Sequence, residues 1–406
     1  MYKDYHLKNF NFKMIFYVLI LFGVSYVAIR SATSGNTNAG LENKQVIGMA
    51  AGAFMILVLT FIDYHLYMKL FIPIHLMDLF LLLMVRLIGK TSKGAKRWIA
   101  LTSSGSFTIQ PSEFSKIMLI LVMAAMMGLL AKKINKIWAI LLILGVCATA
   151  WAFIYKQPDL STTIVLIYLF VVMIYMAGIS YKWILSTMAV VIPSGTVFIV
   201  MLLKGKIPES IIKPYQRNRI LSFIYPQEFA DQWYQQAYSI IAIGSGSLTG
   251  KGIGNDSYAS VKTGNFLSEA QTDFILTIIG EEMGFIGCCA VVILLTLIVV
   301  ECFITARRAI DLEGKLIAAG VGSLIAFQTL VNVAVATGMM CNTGIPLPFV
   351  SAGLSSLISM CCGVGLVLNV GMVRHEAVRT THLVNKISPG VGDGIEVIQE
   401  VKEGSL

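Results

Sequence analysis

The sequence predicts an all-α polytopic membrane protein of ten transmembrane helices, with one long extracellular loop between spans 7 and 8. Three observations predict it. The chain is 56% hydrophobic and only 13% charged over 406 residues, with a mean hydropathy of +0.78, far from soluble composition. Apolar runs of about 17–25 residues recur, the length a helix needs to cross a hydrocarbon core. Backbone polar groups in lipid must bond within their own segment, which makes these runs helices.

The runs lie near 14–30, 45–62, 67–86, 112–131, 137–155, 161–178, 183–203, 274–304, 316–338 and 352–373. The first has no small-residue cleavage site after it and reads as a retained span rather than a signal peptide. The fourth opens at Gln110-Pro111, where proline suits a first helical turn. The sixth follows Asp159-Leu160-Ser161-Thr162-Thr163, an N-cap region. Between the seventh and eighth lies a polar loop, 204–270. Ahead of the tenth, Pro346 and Pro348 forbid a regular helix. Irregular backbone at that depth needs protein or water over it, so a re-entrant loop or cavity wall is expected. Residues 1–380 form one transmembrane domain, and 381–406 a polar cytoplasmic tail. No internal repeat or inverted pair of broken spans is visible.

With cytoplasmic termini, Lys and Arg divide 15 inside to 15 outside, Lys116 lying within a span. Twelve of the outer 15 fall in two segments, five in Arg86–Arg97 and seven in 204–270. A loop that long escapes the positive-inside rule. Without both segments the ratio is 15 to 3, which puts the termini inside. The Arg86–Arg97 cluster is a true violation, and binding an outer-face phosphate is one reason for it; contact with anionic headgroups is the other. Net charge +9 in so apolar a chain suits anionic membrane lipids rather than nucleic acid. The seven cysteines make no CxxC or Cys/His metal spacing and read as small buried hydrophobes. The five histidines are too scattered for a metal site.

Several constellations carry chemistry, each with a structural alternative. Asp273 stands in Glu269-Ala270-Gln271-Thr272-Asp273-Phe274, where the long loop enters the eighth span. It reads as a general base, or as an aspartate that merely begins a helix. Gly94-Ala95-Lys96-Arg97-Trp98 offers two cations and an interfacial indole to a pyrophosphate. Glu113 and Lys116 share a helix face and, inside a membrane, line a wet cavity or form a packing pair. Arg217 and Arg219 present forked donors. The glycine-rich Gly244–Gly252 with Lys251 lets backbone N–H groups approach an anion, but it lacks the Walker A pattern, so an ATPase is excluded. Glu281 and Glu282 read as intramembrane polar glue or cavity lining.

In this order the segments GAKRWI, QPSEFSK, QPDLSTT, YQRNRI, GSGSLTGKG, EAQTDF, GEEMG and NTGIPLPFVS resemble the SEDS family of RodA, FtsW and SpoVE, over residues 12–375. The resemblance implies the ten-span SEDS fold in the bacterial cytoplasmic membrane. It implies peptidoglycan glycosyltransferase activity on lipid II at the outer face, in cell-wall elongation or division, and a class B penicillin-binding protein transpeptidase as partner. The family's essential aspartate falls on Asp273; matching polar positions are Lys96, Arg97, Trp98, Glu113, Lys116, Arg217, Lys251 and Ser351. No cofactor is required, though a divalent cation can assist. The chain departs from the family at Gln271, where many members carry histidine, and at Ala352 and Leu354. The wording Gly-Ile-Pro-Leu-Pro-Phe leans slightly towards the RodA branch. The expected chemistry is inverting: Asp273 takes a proton from an acceptor hydroxyl while cations neutralise the leaving diphosphate. The alternatives are a lipid II flippase, which needs cationic sites on both leaflets, and a scaffold that only positions a transpeptidase.

Overall fold

A computed structural model describes residues 9–33, 40–92, 95–100, 107–208, 212, 214–254 and 270–373. Gly94 and the 381–406 tail lie outside the described residues. The helices are α1 Phe12–Thr33, α2 Leu41–Phe61, α3 Tyr64–Lys69, α4 Phe71–Ile88, α5 Pro111–Leu129, α6 Ile137–Lys156, α7 Leu160–Met176, α8 Tyr181–Leu203, α9 Pro214–Ile224, α10 Ala230–Ser245, α11 Ile275–Arg308, α12 Leu312–Ala336 and α13 Leu354–Met372. Nine of these are long and apolar enough to cross a membrane, and α7 adds an apolar helix of 17 residues. This is a multi-pass membrane protein. A small antiparallel sheet, β1 Lys90–Ser92, β2 Ala95–Ala100 and β3 Thr108–Ile109, joins α4 to α5 in the order β1-β2-β3.

Composition sorts the helices into layers. On α5, α12 and α13 most residues are buried, whereas α8 buries only Leu202. The run Ala318-Ala319-Gly320 is wholly buried, and a Cβ on Gly320 would lie 3.0 Å from Ile120 and 3.2 Å from Met173. Such small faces let backbones approach where lipid supplies no hydrophobic drive between helices. On α8 every recorded side-chain bond of Ser186, Ser194 and Thr196 returns to its own helix, which suits a span facing lipid.

Two features were not legible as loops. The described part of 204–270 contains α9 and α10, and α10 docks on the bundle: Gln236 Nε2 donates to the carbonyls of Val335 (3.0 Å) and Met340 (2.6 Å). The eighth span is also not one continuous helix. At Gly284 α11 breaks, with φ 67° and ψ −164°. The glycine-rich turn fills that break. Lys251 N and Gly252 N donate to the carbonyls of Glu281 and Glu282 at 2.9 and 3.0 Å, and Phe285 N and Ile286 N donate back to Ser247 and Leu248 at 2.9 and 3.2 Å. Kinks need such a cause, and freed backbone groups need partners.

A Cβ on Gly284 would lie 2.4 Å from Gly250 N and 2.6 Å from Leu248 O, at a φ only glycine tolerates. Gly284→Ala is therefore expected to lower stability by at least about 1–3 kcal/mol, read as a fall in the melting temperature of the detergent-purified protein. An unchanged melting temperature would contradict the break.

Candidate active site

Asp273 lies half-buried in a turn that ends where α11 starts. The N-cap position of α11 is Phe274, one residue later. The turn is held by the non-helical segment 341–353 and by α12. Asn332 Nδ2 donates to both Asp273 O and Ile345 O at 2.9 Å. Ser351 Oγ donates to Thr272 O at 2.6 Å and accepts from Leu347 N at 2.8 Å. Ala352 N donates to Gln271 O at 2.8 Å. Phe349 is held at φ 62°, a conformation costly for an aromatic residue, with its ring buried. These bonds fix where the Asp273 carboxylate stands.

What stands beside it follows from Gly344. This residue has φ +69°, and a Cβ there would lie 3.2 Å from Asp273 Oδ2 and 3.7 Å from Arg219 Nη1. Carboxylate and guanidinium therefore crowd one small wall. Arg219 reaches it from α9, its guanidinium 6.0 Å from the ring centre of Tyr215, one turn earlier on the same face. Tyr215 donates to Pro158 O at 2.6 Å and accepts from Arg97 Nη2 at 3.3 Å. Arg97 also donates Nε to Gln157 O at 3.3 Å and Nη2 to Pro158 O, and pairs with Asp159 Oδ1 at 3.8 Å. Asp159 caps α7, as its sequence context implies, by accepting from Thr162 N at 3.2 Å.

The other anticipated residues are dispersed. Lys96 donates to the last carbonyls of α4, Arg86 O (2.8 Å) and Leu87 O (3.1 Å), where a cation also offsets the helix dipole. Trp98 sits half-buried on β2, opposite Lys90. Arg217 is two residues from Arg219, about 200° round a helix. It faces Gly205 and lines a separate small cavity with Leu202 and Asn218. Lys251 pairs with the buried Glu281 at 2.8 Å, and Ser31 Oγ donates to Glu282. Both glutamates thus tie the broken part of α11 to its neighbours. Ser351 is the clamp already described. Glu113 and Lys116 form a buried pair at 2.7 Å on α5, below the site, with Ser359 Oγ donating to Glu113 O at 2.6 Å.

Among the described residues no three His, Cys, Asp or Glu side chains gather at metal-binding spacing. Sequence reasoning gave no role to Asn332 or to Asp78. Asp78 is buried within α4 and accepts from Ser115 Oγ at 3.0 Å. The available signal was a carboxylate inside an apolar run.

The family model that spans FtsW, RodA and SpoVE, described as "Cell cycle protein", matches residues 7–376. The chain belongs to this family. It is 34% identical over 368 residues to the probable peptidoglycan glycosyltransferase FtsW of Geobacter sp. (strain M18), covering 88% of this chain and 95% of that protein. It is 30% identical over 368 residues to the stage V sporulation protein E of Bacillus subtilis (strain 168), with the same coverage, 88% and 95%. Among solved structures, a chain from a peptidoglycan synthase complex described as coordinating polymerization and crosslinking superposes with a TM-score of 0.71 at 25% identity, covering 90% of this chain and 99% of that one. The rod shape determining protein RodA of Thermus thermophilus gives 0.62 at 23% identity over 90% of this chain and 98% of that one, which shows the shared fold.

The solved relatives therefore share this chain's fold. Asn332→Ala would strip a donor from two carbonyls, at a cost of about 1–3 kcal/mol. Amide hydrogen exchange should accelerate in peptides spanning 271–276 and 343–349 and nowhere else. Exchange equal to wild type in both would show that Asn332 does not hold the turn.

Proposed function

We propose that this chain is a peptidoglycan glycosyltransferase that polymerises lipid II at the outer face of the bacterial cytoplasmic membrane, in cell-wall elongation or division. The observation that carries the reading is the shared wall at Gly344, where the Asp273 carboxylate meets the Arg219 guanidinium. Membership of the family and the names of its relatives support the activity.

Asp273 accepts the proton of the C4 hydroxyl on the GlcNAc of an acceptor lipid II. The oxygen so released forms a bond to C1 of the donor MurNAc from the face opposite the leaving group. The C1–O bond to the diphosphate breaks, undecaprenyl pyrophosphate departs with the electron pair, and the configuration inverts. Charge grows on the diphosphate as that bond lengthens, so a fixed cation stabilises the transition state more than the ground state. Arg219 fills that role better than the cations first named. Lys96, Arg97 and Lys251 are each engaged with a carbonyl or a carboxylate of the protein, and Arg217 faces elsewhere.

Both termini are assigned to the cytoplasm by the distribution of basic residues. A class B penicillin-binding protein transpeptidase is proposed as partner, by analogy with the synthase complex whose fold matches. The rival reading, translocation of the lipid, requires a polar route through the bundle. Basic residues stand at both ends of the bundle, Lys13 and Arg308 at the end opposite Asp273, but buried Ile117, Ile120, Met173 and Val321 lie below the Glu113–Lys116 pair, which favours chemistry over passage.

The test is synthesis of glycan polymer from labelled lipid II by the purified full chain with its co-expressed transpeptidase. Asp273→Asn is expected to cut the rate about 10²–10⁴-fold, and survival of the rate would remove Asp273 as the base. Arg219→Ala is expected to cost about 10²–10³-fold, Arg217→Ala much less. The reverse order would assign the diphosphate to Arg217. Movement of labelled lipid II across liposomes without chain growth would favour the rival reading.

A further inference from the structure

A cavity of mixed polar and apolar lining lies at the far end of the bundle from Asp273. Its walls come from the N-terminal end of α1 and the last turns of α11 and α13. The broken helix α11, Ile275–Arg308, runs from the Asp273 turn to this cavity. Its volume is about 430 Å³, within the range of small-molecule sites.

Lys13 and Arg308 line it, and both are exposed. Among the described residues one carboxylate lies in the wall, Glu301, and it accepts a hydrogen bond from Asn11 Nδ2 at 2.7 Å. Asn11 in turn accepts from Met14 N at 3.2 Å, which fixes it at the start of α1. Among the described residues two cations against one carboxylate leave a net positive charge. The mouth is flanked by lipid-facing apolar surface. Phe12, Phe16 and Leu19, at 72%, 59% and 56% exposure, form a stripe along α1 that begins in the cavity wall. Ile304 and Val300 form a parallel strip on α11. Cationic pocket and apolar track together match a phosphate joined to acyl chains, whereas a free phosphate uses no such track. Basic pockets between transmembrane helices recognise anionic headgroups in this way.

We propose that this cavity binds the headgroup of an anionic phospholipid in the leaflet opposite Asp273, with its acyl chains along the exposed faces of α1 and α11. The site is independent of the polymerase reaction and ties the chain's inner end to the charge of the membrane.

The test is native mass spectrometry of the full chain in uncharged detergent, titrated with phosphatidylglycerol or phosphatidylcholine. Wild type should retain phosphatidylglycerol preferentially. Lys13→Gln with Arg308→Gln should weaken that retention about tenfold or more, from two lost headgroup cations, and leave polymerisation in uncharged detergent intact. Lys132→Gln with Lys133→Gln, outside the cavity, should leave retention unchanged. If the double variant fails to fold, the two single variants carry the test, each with a partial loss. Equal retention by wild type and cavity variants would overturn the proposal, as would an equal loss in the Lys132/Lys133 variant. Displacement of phosphatidylglycerol by an equimolar undecaprenyl pyrophosphate would also overturn it, and would assign the cavity to the polyprenyl carrier.

Discussion

Backbone hydrogen bonding without water is the constraint on which this structure depends. A regular transmembrane helix satisfies it internally, but the region around Asp273 is not regular. The turn before α11, the break at Gly284 and the segment 341–353 all expose carbonyls and amides that lipid cannot serve. Each has protein partners. The 247–252 turn supplies the break, while Asn332, Ser351 and the amide of Ala352 supply the turn that carries Asp273. The site is rigid because its irregular backbone had to be paired.

Charge follows the same logic. A cation in low dielectric near protein carbonyls and carboxylates binds them unless geometry prevents it. Lys251 meets Glu281 in this way, Lys116 meets Glu113, Arg97 meets Asp159 and the carbonyls beside it, and Lys96 meets the end of α4. These four basic residues are therefore held by groups of the protein. Arg219 differs because the i, i+4 relation to Tyr215 on α9 places it at the Gly344 wall, beside the Asp273 carboxylate.

The two ends of the bundle are chemically distinct, and the closed inner half keeps them so. Buried Ile, Val and Met side chains of α5, α7, α12 and α13 fill the space below Glu113 and Lys116. At the Asp273 end the polar groups belong to irregular backbone and to α9. At the other end they belong to helix termini, beside exposed apolar stripes on α1 and α11.

By itself the sequence determined the class of solvent and most of the elements. Period and length of apolar runs mark helices in lipid, because no other segment satisfies its own backbone there. Pro346 and Pro348 announced an irregular stretch, Asp159 a helix cap, and the ordered motifs placed Asp273 in its family position. Tertiary structure alone decided the partners. Arg219 rather than Arg217 faces Asp273, since their relative direction depends on α9 being helical, which a polar loop does not advertise. Lys251 and Ser351 became braces, and Asn332 became the clamp, because a side chain's role in low dielectric is set by whichever unsatisfied group packing brings within reach. Spacing along the chain carries no information about that distance.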